Sequence, residues 1–482
     1  MKKHVKFFTA ILTVLAMAGC SQSGFINDYA SPTDSGSEPV STSPASGGSS
    51  KPASTSPEAG GSSEPANSSS SKFEGTDIGG KKDSFFDKIS EAFDGEYGMA
   101  DTAGVLDFAD EAPAAAAEGE PGGALNDGCI IIDPDFPVDP EFPIEPAIPP
   151  QSGLLTGGEW NDNSHWADWN ALYGSRDDWK RYKEDWRISD DYRLTVTVTS
   201  DGKPLEGATV KWGDKISSVT DNKGRAYLFS DELLFEVTTV CGDMSTTAQV
   251  DWVLDEHDLS FSVALDGAVS PVAQKLDLMI MCDTTGSMGD ELEYLKVELE
   301  DIVKSIKSNN ANIPTRVSVN FYRDTEDEYE VRQFPFSDNI DEVAEAIRAQ
   351  SASGGGDFPE AVHTALDSAV NGHDWNDDSV KILFLVLDAP PHDDAQIIDS
   401  VNKYVAAAAA MGIRIIPIAS SGIDKSTEYL LRTMAFTTGG TYTFLTDDSG
   451  VGYGHIEPTV GAYNVERLND MMVRIVNGYL AK

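Results

Sequence analysis

Two stretches of this chain are apolar enough to constrain everything around them. Residues 276–282 are almost continuously apolar, and residues 381–387 read KILFLVL. A strand that is apolar on both faces must be covered on both faces, which is the situation of a strand inside a parallel sheet. The sequence around these runs alternates between two periods. Residues 290–308 carry Leu292, Leu295, Leu299, Ile302, Val303 and Ile306 at helical spacing. Residues 317–322 then read as a strand, 340–349 and 360–370 as helices, and 395–411 as an Ala-rich helix closed by Gly412. A strand at 413–418, a helix at 428–436, a strand at 441–445 and a helix at 467–480 follow. This order predicts a doubly wound α/β domain, an open parallel sheet with helices on both faces. Ligands of such sheets sit beyond the carboxyl ends of the strands.

The residues at those ends are oxygen donors. The first run finishes in Asp283-Thr284-Thr285-Gly286-Ser287-Met288, and Gly286 permits a turn that folds one carboxylate and the hydroxyls onto one centre. The second run finishes in Asp388, which the fold places beside Asp283. Between them lies Gly354-Gly355-Gly356-Asp357-Phe358-Pro359-Glu360, a loop opening a helix. Oxygen-only donors suit a hard divalent cation, Mg²⁺ or Mn²⁺. Each motif alone has a plainer reading. D-x-T-x-S is common by chance, and the Gly-rich loop lacks the Lys of a phosphate-binding loop. Asp388 alone would be a helix cap, Arg323 with Asp324 a surface ion pair, and His392 a loop-packing residue. Their joint occurrence points to a metal site.

Together these motifs resemble a von Willebrand factor A domain over residues 271–482. Asp283-x-Thr285-x-Ser287 is similar to DxSxS, the first segment of that family's metal-ion-dependent adhesion site, with Thr for the first Ser. The resemblance implies that Thr285 and Ser287 coordinate the metal or its shell. It implies that Asp283 holds the metal partly through water and that Asp388 supplies the carboxylate after the fourth strand. Tyr322-Arg323-Asp324, the GGGDFPE loop and Asp388-Ala389-Pro390-Pro391-His392 resemble a subset of bacterial and eukaryotic members. In that subset the loop carries Gly-Gly-Gly-Asp where integrin-like members place Thr. Asp357 is the candidate third ligand, and Gly356 is the other position that aligns with the Thr. Asp324, Glu360 and His392 are candidates for the layer behind the ligands. The implied cofactor is Mg²⁺, with Mn²⁺ or Ca²⁺ as alternatives. The implied partner is a protein offering an Asp or Glu carboxylate.

The chain ahead of this domain reads as an anchor, a tether and a β-module. Residues 1–19 have a basic start and a short apolar core, a secretory signal shorter than the roughly 20 residues a membrane span needs. Met17-Ala18-Gly19-Cys20 resembles a bacterial lipobox, which implies lipidation at Cys20 and an outward-facing, lipid-anchored protein. Residues 20–72 are rich in Ser, Pro and Gly, and a 13-residue unit repeats at 39–51 and 52–64. Such a composition buries too little to fold, so it reads as a tether. Residues 73–152 read as an acidic, Pro-rich spacer with one short helix at 85–93; residues 101–150 hold 12 acids and no Lys or Arg. Residues 153–190 hold five of the eight Trp and read as a collar around the next domain, with an aromatic ligand platform as the alternative. The segment 155–160 resembles a lead-in that precedes an immunoglobulin-like module. Residues 191–267 alternate with a period of two between regular turns, the pattern of a β-sandwich. They resemble carboxypeptidase-regulatory or transthyretin-like modules. Cys282 reads as a small buried hydrophobe; Cys129 and Cys241 have no assigned pairing.

Charge narrows the function classes. The chain has 80 acidic against 35 basic side chains, a net charge of −45. Bulk attraction to nucleic acid or another anionic polymer is excluded. The expected function is metal-dependent protein binding at the cell surface, in adhesion or envelope assembly, and not catalysis. The alternatives are a metal-assisted hydrolase, with His392, Glu360 or Asp324 as base, and a structural envelope protein stiffened by its metal.

Overall fold

A computed structural model describes residues 73–78, 149–253 and 256–481. The signal segment, Cys20, the repeat, the 85–93 helix, Cys129 and the tether and spacer readings up to residue 148, apart from 73–78, lie outside the described residues. In chain order the elements begin with β1 (Thr76–Ile78), β2 (Thr156–Trp160), α1 (Trp166–Ser175) and α2 (Asp177–Asp185). Eight short strands follow: β3 (Tyr192–Ser200), β4 (Lys203–Pro204), β5 (Thr209–Trp212), β6 (Ile216–Val219), β7 (Arg225–Ser230), β8 (Glu236–Cys241), β9 (Met244–Gln249) and β10 (Asp258–Ala264). The α/β part comprises β11 (Leu276–Asp283), α3 (Leu292–Asn309), β12 (Thr315–Tyr322), β13 (Val331–Gln333), α4 (Ile340–Arg348), α5 (Val362–Asn371) and β14 (Val380–Leu387). It continues through α6 (Ala395–Met411), β15 (Ile413–Ala419), α7 (Lys425–Thr438), β16 (Tyr442–Leu445), β17 (Glu466–Arg467) and α8 (Leu468–Leu480).

Among the described residues the large sheet has nine strands in the order β1-β13-β12-β11-β14-β15-β16-β2-β17. Its centre, β12 to β16, is parallel, as the apolar runs require. Its margins are antiparallel, so the sheet is mixed, not wholly parallel. Alternate residues of β11 serve opposite cores. Leu278, Ile280 and Cys282 join Leu295, Ile302 and Met472 on one face. Met279 and Met281 join Leu366, Val401 and Leu430 on the other. Cys282 is free and buried, as its reading as a small hydrophobe required.

The segment 155–160 is not a lead-in to the β-module. It forms β2, which pairs antiparallel with β16 in register Tyr442↔Trp160 to Leu445↔Gly157. The reason is steric: a Cβ on Gly158 would stand 2.5 Å from the Phe444 ring, and one on Gly157 2.7 Å from the Phe444 carbonyl oxygen. Only a Gly-Gly pair passes there.

Residues 192–264 form two four-stranded sheets, β6-β5-β8-β9 and a group of β10, β4 and β7 around β3. Leu194, Val196, Val198, Val210, Trp212 and Val237, drawn from both sheets, share one apolar cluster. The chain from Lys203 to Trp212 forms two strands, β4 and β5, with a break between them. Thr220 fills the break, donating to the Leu205 carbonyl and accepting from the Ala208 amide. The Trp-rich segment is buried. Trp166 and Trp169 pack on Phe436 of α7, and Trp166 also meets Phe229 of β7. The collar therefore grips the α/β domain as well as the β-module, and its rings are not a surface platform.

Candidate functional site

The register of the central strands builds the site. Cys282 pairs with Val386, so Asp283 and Asp388 leave adjacent parallel strands at the same end of the sheet. Beyond Asp283 the chain turns into one short 3₁₀ turn, Gly286–Asp290, which presents Ser287. Thr285 donates to Asp283 Oδ1 from both its N–H, at 2.8 Å, and its hydroxyl, at 2.7 Å. The Thr285 and Ser287 hydroxyls lie 3.1 Å apart, and Ser287 also bonds the Asp388 carboxylate. Ser287 is exposed, whereas Asp283 and Asp388 are buried. Four of the five expected ligands are thus brought together.

The fifth, Asp357, is exposed on the outer turn of its loop. The buried acid of that loop is Glu360, whose N–H donates to the Pro390 carbonyl and so ties it to the strand end carrying Asp388. The loop is held from beneath. The Gly354 carbonyl accepts from Gly286 N–H at 3.0 Å, and Asp327 Oδ2 accepts from Gly355 N–H at 2.8 Å. Gly354 and Gly355 have φ of +84° and +69°, and a Cβ on Gly354 would stand 2.3 Å from the Asp327 carboxylate. Here glycine is required twice over.

Asp324 and His392 also meet. His392 Nε2 lies 2.8 Å from Asp324 Oδ1. Arg323 does not pair with Asp324 at the surface. It is buried, donates to the Ser351 carbonyl and lies over the Tyr329 ring.

Electrostatics set the site's chemistry. Burial, more than any charge, raises Asp283 to about 6, against its two Thr285 hydrogen bonds. Burial and then the Asp283 charge raise Asp388 to about 7. Burial, with the charges of Asp283, Asp324, Asp388 and Asp327, raises Glu360 to about 9. Asp283 Oδ2, Asp388 Oδ1 and Glu360 Oε2 are buried without hydrogen-bond partners. Orphaned carboxyl oxygens of this kind are costly to ionise unless a cation meets them. No three His, Cys, Asp or Glu side chains among the described residues form a metal cluster by themselves. A metal here would need the two hydroxyls as well. The donor set present, two carboxylates with orphan oxygens and two hydroxyls, fits a hard divalent cation.

A second polar group beside the site gave no sequence signal except its adjacency to Ser287. Asp290 Oδ2 accepts from Tyr453 N–H and the Ser421 hydroxyl. Glu291 Oε1 accepts from Ser421 N–H and lies 2.9 Å from His455 Nε2. Its parts come from loops about 160 positions apart, which no local motif reveals.

The chain is similar to several known proteins. The von Willebrand factor A domain family matches residues 277–451, so the chain carries such a domain. An ariadne-like RING finger protein of Acanthamoeba polyphaga mimivirus is 34% identical over 133 residues. That match covers 27% of this chain and only 12% of the viral protein. Two solved structures are also similar. An aerotolerance-related membrane protein from Bacteroides fragilis, carrying multiple mutations to serines, is 11% identical over 42% of this chain and 98% of its own, with a TM-score of 0.28. The conserved hypothetical protein BatB from Bacteroides thetaiotaomicron is 13% identical over 43% of this chain and 100% of its own, with a TM-score of 0.31.

Proposed function

We propose that the chain is a lipid-anchored bacterial envelope protein whose von Willebrand factor A domain binds a protein partner through a divalent cation, Mg²⁺ first. One observation carries this reading: Asp283 Oδ2 and Asp388 Oδ1 are buried and unpartnered beside the hydroxyls of Thr285 and Ser287. Asp283, Thr285, Ser287 and Asp388 would hold the cation, with a further ligand from the loop that carries Asp357 and Glu360. The bound ion supplies an open position that a partner's Asp or Glu carboxylate completes. Thr285 keeps Asp283 Oδ1 occupied, so only Oδ2 is aimed at the ion. We assign no catalytic step to the site.

Residues 191–267 are proposed to be a carboxypeptidase-regulatory-like sandwich. With the 20–72 tether and the 73–152 spacer it would carry the binding domain away from Cys20. No helix among the described residues is long and apolar enough to cross a membrane. Anchoring is tested by palmitate labelling, which Cys20→Ser should abolish. Partner binding is tested by retaining envelope-extract proteins on the immobilised chain. Retention in Mg²⁺ that is lost in EDTA and with Asp283→Ala is expected; equal retention in all three would overturn the reading.

One observation favours a second reading, metal-assisted hydrolysis: the 2.8 Å contact orients His392 on Asp324 behind the ligands. It requires ester or phosphate turnover that both Ser287→Ala and His392→Gln remove.

A further inference from the structure

The metal reading leaves the charge around the site without a role. Six loops lie at the end of the sheet that carries Asp283 and Asp388: residues 283–291, 323–330, 351–361, 388–394, 420–424 and 446–465. They hold 17 acidic side chains and one basic, Arg323, whereas residues 271–482 as a whole hold 34 and 16. Half of the domain's acids and one of its 16 bases thus share one face. Arg323 is buried, so it presents no charge there. Lys425, at the margin, is turned onto the Glu428 carboxylate. Other bases stand at the opposite end: Arg316, Lys381 and Arg414 are each the second residue of a parallel strand, β12, β14 and β15.

Structural needs account for only part of this crowding. An acid before a helix N-terminus is favoured by the helix dipole. Eight of the 17, however, lie in 323–330 and 446–465, loops that lead into β13 and β17. Asp394 precedes α6 but makes no side-chain cap bond. Nor do the acids form a second cation site, since no three of them converge among the described residues. Glu326, Asp357, Asp393, Asp394, Asp447 and Asp448 are exposed to solvent. Like charges gathered on one face repel one another and weaken the fold.

Two aromatic rings stand in the same field. Phe358 is 46% and Tyr453 70% exposed. Their loops grip opposite ends of the turn that presents Ser287. The Gly354 carbonyl accepts from Gly286 N–H at one end, and Asp290 Oδ2 accepts from Tyr453 N–H at the other. An exposed aromatic face attracts a cation, Arg more often than Lys.

These charges bear on how a partner reaches the buried, unpartnered Asp283 Oδ2 and Asp388 Oδ1 and the ion they hold. The cation acts at contact, whereas exposed acids act out to about 8 Å at physiological salt. A carboxylate borne on a neutral or acidic surface is repelled before it meets the ion. One set among Lys and Arg is drawn in by the rim and then bound by the metal. We propose that the partner of the metal site is a basic protein surface, one Asp or Glu carboxylate ringed by Lys or Arg side chains. The carboxylate completes the cation, and the bases pair with the exposed acids and lie over Phe358 and Tyr453. This deepens the metal-site reading above and rests on it.

The test uses the full chain, a variant neutralised on the rim (Glu326→Gln, Asp393→Asn, Asp394→Asn, Asp448→Asn) and four fluorescent peptides. Three peptides carry one central Asp, flanked by Arg, by Ser or by Glu; the fourth has Asn between the Arg flanks. Mn²⁺ binding is measured first, by electron paramagnetic resonance without peptide, and both chains should bind it. On the Mn²⁺-loaded wild type at low salt, the Arg-flanked Asp peptide should bind at least about tenfold more tightly than the Ser-flanked one, with the Glu-flanked one weakest. High salt and the neutralised variant should each reduce that advantage to about threefold or less. EDTA, or Asn in place of Asp, should weaken the Arg-flanked peptide at least about tenfold. Equal binding of the Arg- and Ser-flanked peptides would overturn the proposal, as would binding of none. Arg-flanked Asn binding as tightly as Asp would overturn it too, because the face would then be a plain site for polycations. The wild-type comparison stands even if the variant fails to fold. Absence of Mn²⁺ binding removes the metal reading itself and is seen before any peptide is added.

Discussion

Thr285 closes on Asp283 twice, its N–H and its hydroxyl both donating to Oδ1 and leaving Oδ2 buried and alone. With Asp283 raised to about 6 and Asp388 to about 7, both mainly by burial, the site holds protons that a cation must displace. Mg²⁺ affinity should rise at least about tenfold between pH 5.5 and 7.5 and flatten above that. Isothermal titration across this range checks it, and an affinity independent of pH would contradict the proton competition.

Asp388→Asn separates the cost of the site from its use. An acid whose folded value lies above its unfolded one weakens the fold as pH rises between the two, because the unfolded chain gives up its proton first. For Asp388 that window runs from about 4 to about 7. In EDTA at pH 8 the Asn variant should therefore melt higher than the wild type, by roughly 2–4 kcal/mol in stability, and the two should converge near pH 4. Adding Mg²⁺ should raise the melting temperature of the wild type only. A variant that melts lower than wild type in EDTA at pH 8 would show that Asp388 stabilises the fold without the ion.

Legibility of this fold in its sequence follows side-chain content. The parallel strands were readable because 276–282 and 381–387 are apolar on both faces, and the site because Asp283 and Asp388 directly follow them. β2 was not readable, since its Gly157-Gly158 pair contributes no side chain to a periodic pattern and its pairing with β16 spans almost 300 residues. β1 was hidden in the acidic spacer because Thr76–Ile78 is exposed throughout and is held by edge pairing and by Arg332 on Asp77. In the Gly-rich loop, local sequence distinguishes poorly between Asp357 and Glu360. Which acid is buried is decided by the bond from Glu360 N–H to Pro390, a contact with a distant strand end.

Gly354→Ala should damage the site more than the fold. Its φ of +84° would cost a Cβ-bearing residue about 1–2 kcal/mol. The new methyl would also displace Asp327, which holds the N–H groups of Gly355 and Asp324. Metal affinity should fall about tenfold with only a modest drop in melting temperature, because the loop is exposed. Gly356→Ala is the control: nothing lies within 4 Å of its Cβ and its φ is not positive. Equal effects of the two substitutions would contradict the Asp327 account.

Asp162→Ala should destabilise the α/β domain although Asp162 lies far outside residues 271–482. Asp162 receives Arg432 Nη2 at 2.6 Å and Nε at 3.0 Å, with both side chains buried. Arg432 also lies over the rings of Trp169 and Trp179, and its other nearby acid is Glu428 at 3.6 Å. Removing one partner leaves a buried charge short of compensation, which costs about 3–5 kcal/mol. Urea unfolding followed by Trp fluorescence measures it. A loss below about 1 kcal/mol would mean that the Trp-rich segment is an accessory layer and not part of the domain's core.

His455 ties the loop after β16 to the site turn in a pH-dependent way. Its Nε2 lies 2.9 Å from Glu291 Oε1 and its Nδ1 2.8 Å from Asp447 Oδ1. Burial lowers the imidazole, but hydrogen bonds to the two carboxylates outweigh it and leave the pKa above its ordinary value. Asp290, which accepts from Tyr453 N–H and is itself raised by burial and by Glu291, faces the same loop. For a base raised on folding, the stabilisation is complete below about 6.5 and is lost as pH climbs through the folded value. Hydrogen exchange of amides 451–456, corrected for its intrinsic pH dependence, should therefore show protection at pH 6 that declines toward pH 9. His455→Gln should be less protected at pH 6 and should lose the decline. A decline of equal size in the variant would place the titrating group elsewhere, at Asp290, and would leave His455 a neutral bridge between Glu291 and Asp447.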